Sequence, residues 1–134
     1  MAKSLIYTAN TTSTAVPIGN TVPVGSIIHR YGPCIDATGS TINVKEPGYY
    51  LVNISATFTA AAAGNVTLTL QRDGVAVSGA TATETIATAA TESANVGITA
   101  IVRVMCCGNA RLSVLVDGTA APTITNMAIG VVKA

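Results

Sequence analysis

The sequence predicts an all-β domain, a two-sheet antiparallel sandwich or jelly roll, and three observations support this prediction. Apolar and polar residues alternate with a period of two along most of the chain, as they do in half-buried strands. Gly, Pro, Asn and Asp interrupt the alternation at short intervals, as turns do. No long segment keeps the 3.6-residue apolar period of a helix. We therefore expect a single domain over residues 1–134 with about eight or more short strands.

Each strand is predicted from its own alternation and from the turn that follows it. In 65–71, Val66, Leu68 and Leu70 share one face, and Asp73-Gly74 then marks a tight hairpin turn. Between 78 and 94 the alanines allow a helix, but the threonines favour loops and a weak strand. In chain order, the predicted strands are 5–8, 26–31, 41–44, 49–59, 65–71, 75–77, 96–105, 111–116 and 123–132.

Three of these strands, 49–59, 96–105 and 123–132, carry large apolar residues on both faces. One face of each strand can fill the core, but the sequence predicts no helix to cover the other. A second apolar face of this kind is typical of a subunit interface. We expect Arg103 to lie there, paired or capping a carbonyl oxygen. The residues predicted at this interface are Tyr49, Leu51, Ile101, Arg103, Met105, Met127, Ile129 and Val131.

The composition excludes several classes of partner. Only 10% of the residues are charged and the net charge is +1, which gives no electrostatic reason to expect nucleic acid or an anionic membrane. The apolar runs are far shorter than the ~20 residues of a membrane span. The first residues lack the apolar region of a signal peptide, so we expect folding in a cytosol. So few charges on a small domain indicate that part of its surface is covered by self-association.

The residues that could carry chemistry do not form a recognisable site in the sequence. Cys106 and Cys107 are adjacent, so on a strand they point to opposite faces and cannot form a comfortable disulfide. Together with Cys34 and His29, they make up the four ligands that a Cys3His zinc site needs. The usual spacing of two to four residues between the members of a ligand pair is absent, however. His29 shares a predicted strand face with apolar residues, and no nucleophile elbow occurs. We expect no catalytic residue, cofactor or metal, and no role beyond packing can be assigned to these four residues.

Two segments resemble a known superfamily. Residues 47–57, which begin Pro47-Gly48-Tyr49, and 66–77, which contain the hairpin Arg72-Asp73-Gly74, resemble the tumour-necrosis-factor and complement globular-head superfamily. The likeness is to its short bacterial and phage forms, found on exosporium filaments and among phage structural proteins. It implies a jelly roll in tight homotrimers, with the sheet of the first, last and central strands facing the threefold axis. With one Phe and no Trp, this chain cannot be assigned the receptor-binding loops of the animal members.

The resemblance leads to a hypothesis about function. The sequence contains neither a collagen-like repeat nor a heptad run, so the domain resembles a free-standing knob rather than the tip of a stalk. We expect a non-enzymatic homotrimer on a phage virion surface, made in the bacterial host cytoplasm. It would be a head decoration or head-fibre protein that docks on the major capsid protein or another virion protein. The alternative is a receptor- or glycan-binding tip on a phage tail or on a bacterial or spore surface.

Overall fold

The structure, a computed structural model, describes residues 4–87, 92–105 and 109–134. Within those ranges the backbone forms strands, turns and bends and no helix, which confirms the all-β prediction. Each of the predicted strands overlaps a strand of the structure. In chain order, the strands are β1 (Leu5–Asn10), β2 (Thr14–Ala15), β3 (Ser26–Tyr31), β4 (Ile35–Thr38), β5 (Thr41–Val44), β6 (Gly48–Ala60), β7 (Gly64–Arg72), β8 (Val75–Ile86), β9 (Ala94–Val104), β10 (Ala110–Gly118) and β11 (Pro122–Lys133).

The strands form two antiparallel sheets. Sheet I has the strand order β3-β1-β11-β6-β9, with the short β2 beside β11, and sheet II has the order β4-β5-β10-β7-β8. Strands β1 and β11, which are the first and last in the chain, pair with each other inside sheet I. Two antiparallel sheets connected in this order form a jelly roll, so the predicted fold class is confirmed.

An apolar cluster between the two sheets forms the core. Its largest fully buried side chains, Tyr50 and Phe58, both belong to β6. Burying a side chain of this kind contributes about 1.5–3 kcal/mol, so the inward row of β6 is a major attachment of sheet I to sheet II. The sequence analysis expected one face of 49–59 to fill the core, and the structure confirms this, because buried residues alternate strictly along the whole strand.

The hairpin between β7 and β8 forms where the sequence predicted it. Asp73 and Gly74 both have positive φ, at 52° and 81°, as a tight two-residue hairpin turn requires. The Asp73 carboxylate also accepts a hydrogen bond from the backbone N–H of Arg111, at 3.0 Å. The turn is therefore fixed to the neighbouring strand β10.

Strand β8 is longer than predicted. It continues to Ile86 through the threonine-rich segment that the sequence assigned to loops and a weak strand. Its threonines bond to side chains of β7, for example Thr83 to Thr67 at 2.9 Å, and such cross-strand pairs stabilise a sheet. Strands β2 and β4 were not predicted, because β2 has only two residues and Ile35 is the only large apolar residue of β4, so neither shows an apolar alternation.

The outward face of β11 was predicted wrongly. Met127, Ile129 and Val131 were assigned to the subunit interface, but the structure buries all three between the sheets, with 0% of Met127 and Val131 exposed. The pairing of β11 with β6 shifts between Ile124 and Asn126, and this irregularity moves Met127 to the core face that Ile124 also occupies. The outer side of β11 instead carries Ala128, Gly130 and Val132, paired with outward residues of β6.

Among the described residues, no helix has the length and apolar character needed to cross a membrane.

Candidate subunit interface on the outer face of sheet I

A row of apolar side chains crosses the outer face of sheet I. Strand register places Leu5 of β1, Val132 of β11, Leu51 of β6 and Ile101 of β9 side by side, and Tyr31 of β3 continues the row beyond Leu5. We call these five residues the apolar row. Four of these five residues are exposed: Tyr31, Leu51, Val132 and Ile101, of which Ile101 has 68% of its surface exposed. Leu51 and Val132 are exposed even though their strands, β6 and β11, lie in the middle of the sheet. A row of large apolar side chains on a sheet face is the kind of surface that a partner covers.

Tyr49 and Arg103 extend the apolar row toward the end of the sheet. They are directly opposite each other on β6 and β9, and the Arg103 guanidinium lies 5.7 Å from the centre of the Tyr49 ring. That distance permits a cation–π interaction. The backbone carbonyl of Arg103 accepts a hydrogen bond from the guanidinium of Arg72. The sequence had led us to expect the Arg103 side chain to be paired or to cap a carbonyl oxygen. In the structure the side chain instead lies over the Tyr49 ring, and the backbone carbonyl of Arg103 is the group that is capped, by Arg72.

Further along the same face the apolar row gives way to a shallow groove of about 590 Å³ lined by small and polar residues. Its floor includes Gly97 on β9 and Gly130 on β11, and Tyr7 stands at one side. Polar side chains within the groove form hydrogen bonds with each other. For example, the Thr99 hydroxyl donates to the side-chain amide oxygen of Asn53 at 3.1 Å. Among the residues that the structure describes, none that lines this groove is charged. The outer face of sheet I is therefore apolar at one end and neutral and concave beyond it.

A hydrogen-bonded cluster, the terminal latch, fastens the two chain ends beside the apolar row. Lys133 Nζ lies 2.9 Å from one carboxylate oxygen of Glu46, and the Ser4 hydroxyl donates to the other at 3.0 Å. The hydrogen bond from Lys133, followed by that from Ser4, holds the pKa of Glu46 below its ordinary value. The Tyr50 hydroxyl donates to the Glu46 backbone carbonyl at 2.8 Å, and burial raises the pKa of Tyr50 to about 12. The latch therefore fixes β1, β6 and β11 at the end of sheet I that carries the apolar row.

Five of the eight predicted interface residues lie where the sequence placed them. Tyr49, Leu51, Ile101 and Arg103 are exposed on outward positions of β6 and β9, and Met105 is exposed just after β9. Their contact with another subunit stays a prediction. The prediction missed further members of the same face, among them Leu5, Tyr7, Tyr31, Gly130 and Val132. Alternation along β1 could have found Tyr7, but Gly130 gives no apolar signal.

The other singled-out residues form no site in the described part of the chain. Cys34 is a free, partly buried thiol, and His29 is exposed on β3 opposite Tyr7. Cys106 and Cys107 lie outside the described residues, so the expectation that they only pack stays a prediction. Over 4–87, 92–105 and 109–134, three His, Cys, Asp or Glu side chains nowhere gather as they would around a metal ion.

Comparison with known proteins identifies the fold. No protein-family model and no curated protein sequence matches the chain. Among solved structures, Eiger TNF from S. frugiperda aligns with a TM-score of 0.69 at 15% identity, over 99% of this chain and 92% of that one. The globular domain of zebrafish complement 1qA aligns with a TM-score of 0.69 at 12% identity, over 98% and 96%. Murine APRIL at pH 5.0 aligns with a TM-score of 0.62 at 14% identity, over 98% and 99%. The chain therefore has the jelly-roll fold of the tumour necrosis factors and the complement globular heads, as its sequence had suggested.

Proposed function

We propose that the protein is a non-enzymatic homotrimer whose subunits associate through the outer face of sheet I. The observation that carries this proposal is the apolar row, which leaves large side chains such as Ile101 exposed in a single chain. Sheet I is also the sheet with the first, last and central strands, which the family resemblance assigns to the threefold axis. Permanent interfaces of this kind bury about 2,000 Å² or more, with apolar centres.

The proposed trimer serves as a knob on the surface of a phage virion, as a head decoration or head-fibre protein. The support is the resemblance of 47–57 and 66–77 to the short bacterial and phage forms of the superfamily. Its role is mechanical, because intersubunit burial makes a rigid trimer and one end of that trimer docks on the major capsid protein or another virion protein. The protein is made in the cytoplasm of the bacterial host and joins the virion there.

The solution mass tests the assembly. Light scattering of the purified protein is expected to give about three times the 13.4 kDa of one chain. A mass equal to one chain at micromolar concentration would overturn the trimer and the knob together.

Sedimentation with purified capsids tests the docking. Capsids that lack the protein are expected to carry it into the pellet, whereas host cells are not. The matched control is Ile101→Asp, which is designed to dissociate the trimer and so to reduce binding that depends on three linked copies. Binding to cells or to immobilised glycans without binding to capsids would replace the knob by a receptor- or glycan-binding tip.

A further inference from the structure

The cationic residues within the described part of this nearly neutral chain lie together at one end of the sandwich. Strand register places them there: Arg72 is opposite Leu112 near the start of β10, and Arg103 is opposite Tyr49 near the start of β6. The chain has seven Lys and Arg residues, and only Lys3 lies outside the described part. We call this surface the cationic end, and its described cations are Arg30, Lys45, Arg72, Arg103, Arg111 and Lys133.

The opposite end carries acidic residues and, among the described residues, no cation. Glu84 is opposite Val66 at the far end of β7, and Asp117 is opposite Thr67 one row away. Glu92 lies close by, where its carboxylate accepts a hydrogen bond from the Ala87 N–H. The net charge of +1 therefore conceals a separation of charge along the length of the molecule.

Four of the six described cations have no acidic partner within the described residues, and two of these four, Lys45 and Arg111, line one cleft. Lys133 pairs with Glu46, and Arg72 lies 3.8 Å from Asp73, but neither Lys45 nor Arg111 forms an ion pair. Both of these side chains are exposed. They flank a cleft of about 240 Å³ whose other lining residues are Asn43, Asn109 and Ala110. Two cations without ion pairs and two side-chain amides line this one cleft and form a site suited to an anion, because both kinds of group donate hydrogen bonds to a carboxylate.

The cleft remains accessible in the proposed trimer. Arg111 and Asn43 are paired neighbours on β10 and β5, in sheet II, whereas the apolar row lies on the outer face of sheet I. Association through sheet I therefore leaves three copies of the cleft open at the same end of the trimer. Three linked sites strengthen binding to a surface that presents several anions.

The distribution of charge at this end fits the carboxylates of an acidic protein surface better than the phosphates of a nucleic acid. Asp36, Glu46 and Asp73 lie among the cations, so no continuous cationic track runs across the end. A nucleic acid is bound along such a track, with aromatic side chains stacked on its bases. None of the described residues that line the cleft is aromatic. Separate carboxylates held by separate cations match the pattern seen here, and Arg binds a carboxylate with two parallel hydrogen bonds.

We infer that the trimer docks through its cationic end, with the cleft between Lys45 and Arg111 binding carboxylates of an acidic protein surface. The identity of the target as a virion protein rests on the proposed function, whereas the chemistry of the cleft does not. The acidic end then points away from the capsid, since an acidic surface repels it.

The test uses poly-L-glutamate as a probe of the cleft, measured by calorimetric titration of the intact protein at low salt. The wild type is expected to bind it, and binding is expected to weaken as salt screens the charges. Lys45→Ala combined with Arg111→Ala should weaken binding by about tenfold, and replacing both by Glu should abolish it. The control Glu84→Gln changes a charge at the other end and should leave the affinity unchanged.

These variants should fold normally, because Lys45 and Arg111 contact the rest of the chain through backbone groups. Unchanged circular dichroism and light-scattering mass verify this. Poly-L-glutamate binding that survives both double variants would overturn the inference, and so would binding to heparin or an oligonucleotide but not to poly-L-glutamate. Salt-sensitive head-to-tail association of the trimers alone would also overturn it, because the acidic end would then be the occupant. If the wild type binds poly-L-glutamate through the cleft but ignores capsids, the cleft stands and the virion role fails.

Discussion

The outer faces of the two sheets differ in how their side chains are used within one subunit. On sheet II the hydroxyl and amide groups of β7 and β8 bond to each other in three successive rungs. These are Thr67–Thr83 at 2.9 Å, Thr69–Thr81 at 3.3 Å and Thr85–Asn65 at 2.9 Å. Polar groups that are paired and still open to solvent need no further partner.

On sheet I the corresponding face presents the apolar row and the neutral groove. Val132, Leu51 and Ile101 lie next to each other across three strands and are exposed. Covering such side chains removes apolar area from water at about 25 cal/mol per Å². One face is therefore complete in a single chain, whereas the other is stabilised only when another molecule covers it.

The largest effect expected from this difference is on assembly. Ile101→Asp places a charge in the proposed interface, where it must lose its hydration, and should weaken association by about a thousandfold or more. Thr83→Asp places the same charge on the outer face of sheet II and should leave the trimer intact. Sedimentation equilibrium of both variants decides the matter. Equal association constants for the two variants would remove the distinction between the faces.

Two glycines extend the comparison from side chains to the backbone. Gly118 on β10 has φ 111°, and a Cβ there would lie 2.3 Å from the Asn65 carbonyl oxygen. Gly130 on β11 has no such constraint, since the nearest atom to its Cβ would be a ring carbon of Tyr7 at 3.9 Å. Gly118→Ala should therefore lower the free energy of unfolding by about 2–4 kcal/mol.

Gly130→Ala is the matched substitution on sheet I. In the dissociated Ile101→Asp background it should leave the free energy of unfolding unchanged or raise it by about 0.5–1 kcal/mol, because strand glycines are entropically costly. Urea unfolding of both glycine variants in that background gives the measurement. Similar losses at the two positions would mean that a subunit constrains both glycines alike.

A smaller effect is expected at the terminal latch, which supports the end of sheet I next to the apolar row. Because the pKa of Glu46 is lowered in the folded state, its contribution to stability is present above the ordinary value of 4.5. It is lost as the pH falls through the lowered pKa. Glu46→Gln should therefore make the urea midpoint less sensitive to pH on the acid side, while Glu84→Gln, remote from the latch, should not. If the urea midpoint falls with decreasing pH by the same amount in the wild type and in Glu46→Gln, this account is contradicted.

The sequence predicts the fold better than it predicts the interface, and the reason is visible in individual strands. In β6 and β9 the period of two is unbroken, so the inward and outward rows follow directly from the residue order. In β11 the irregular pairing between Ile124 and Asn126 reverses the faces, and no residue type at this point announces it. The separation of charge between the two ends of the sandwich could not be predicted from the sequence either. Arg30, Arg72 and Arg111 are far apart in the chain, and only the topology of the sheets brings them to the same end.

The smallest effect concerns the rungs that complete the outer face of sheet II. Thr83→Ala removes the 2.9 Å hydrogen bond to Thr67 and a β-branched side chain, and should lower the free energy of unfolding by about 0.2–1 kcal/mol. Thr83→Val keeps the branched shape and should lose only part of that amount, since both hydroxyls can bond to water at this exposed position. Urea unfolding of the two variants separates the hydrogen bond from the shape. Neither variant should change the solution mass, because in the proposed trimer the outer face of sheet II is exposed to solvent. A change in mass would place sheet II in the interface instead.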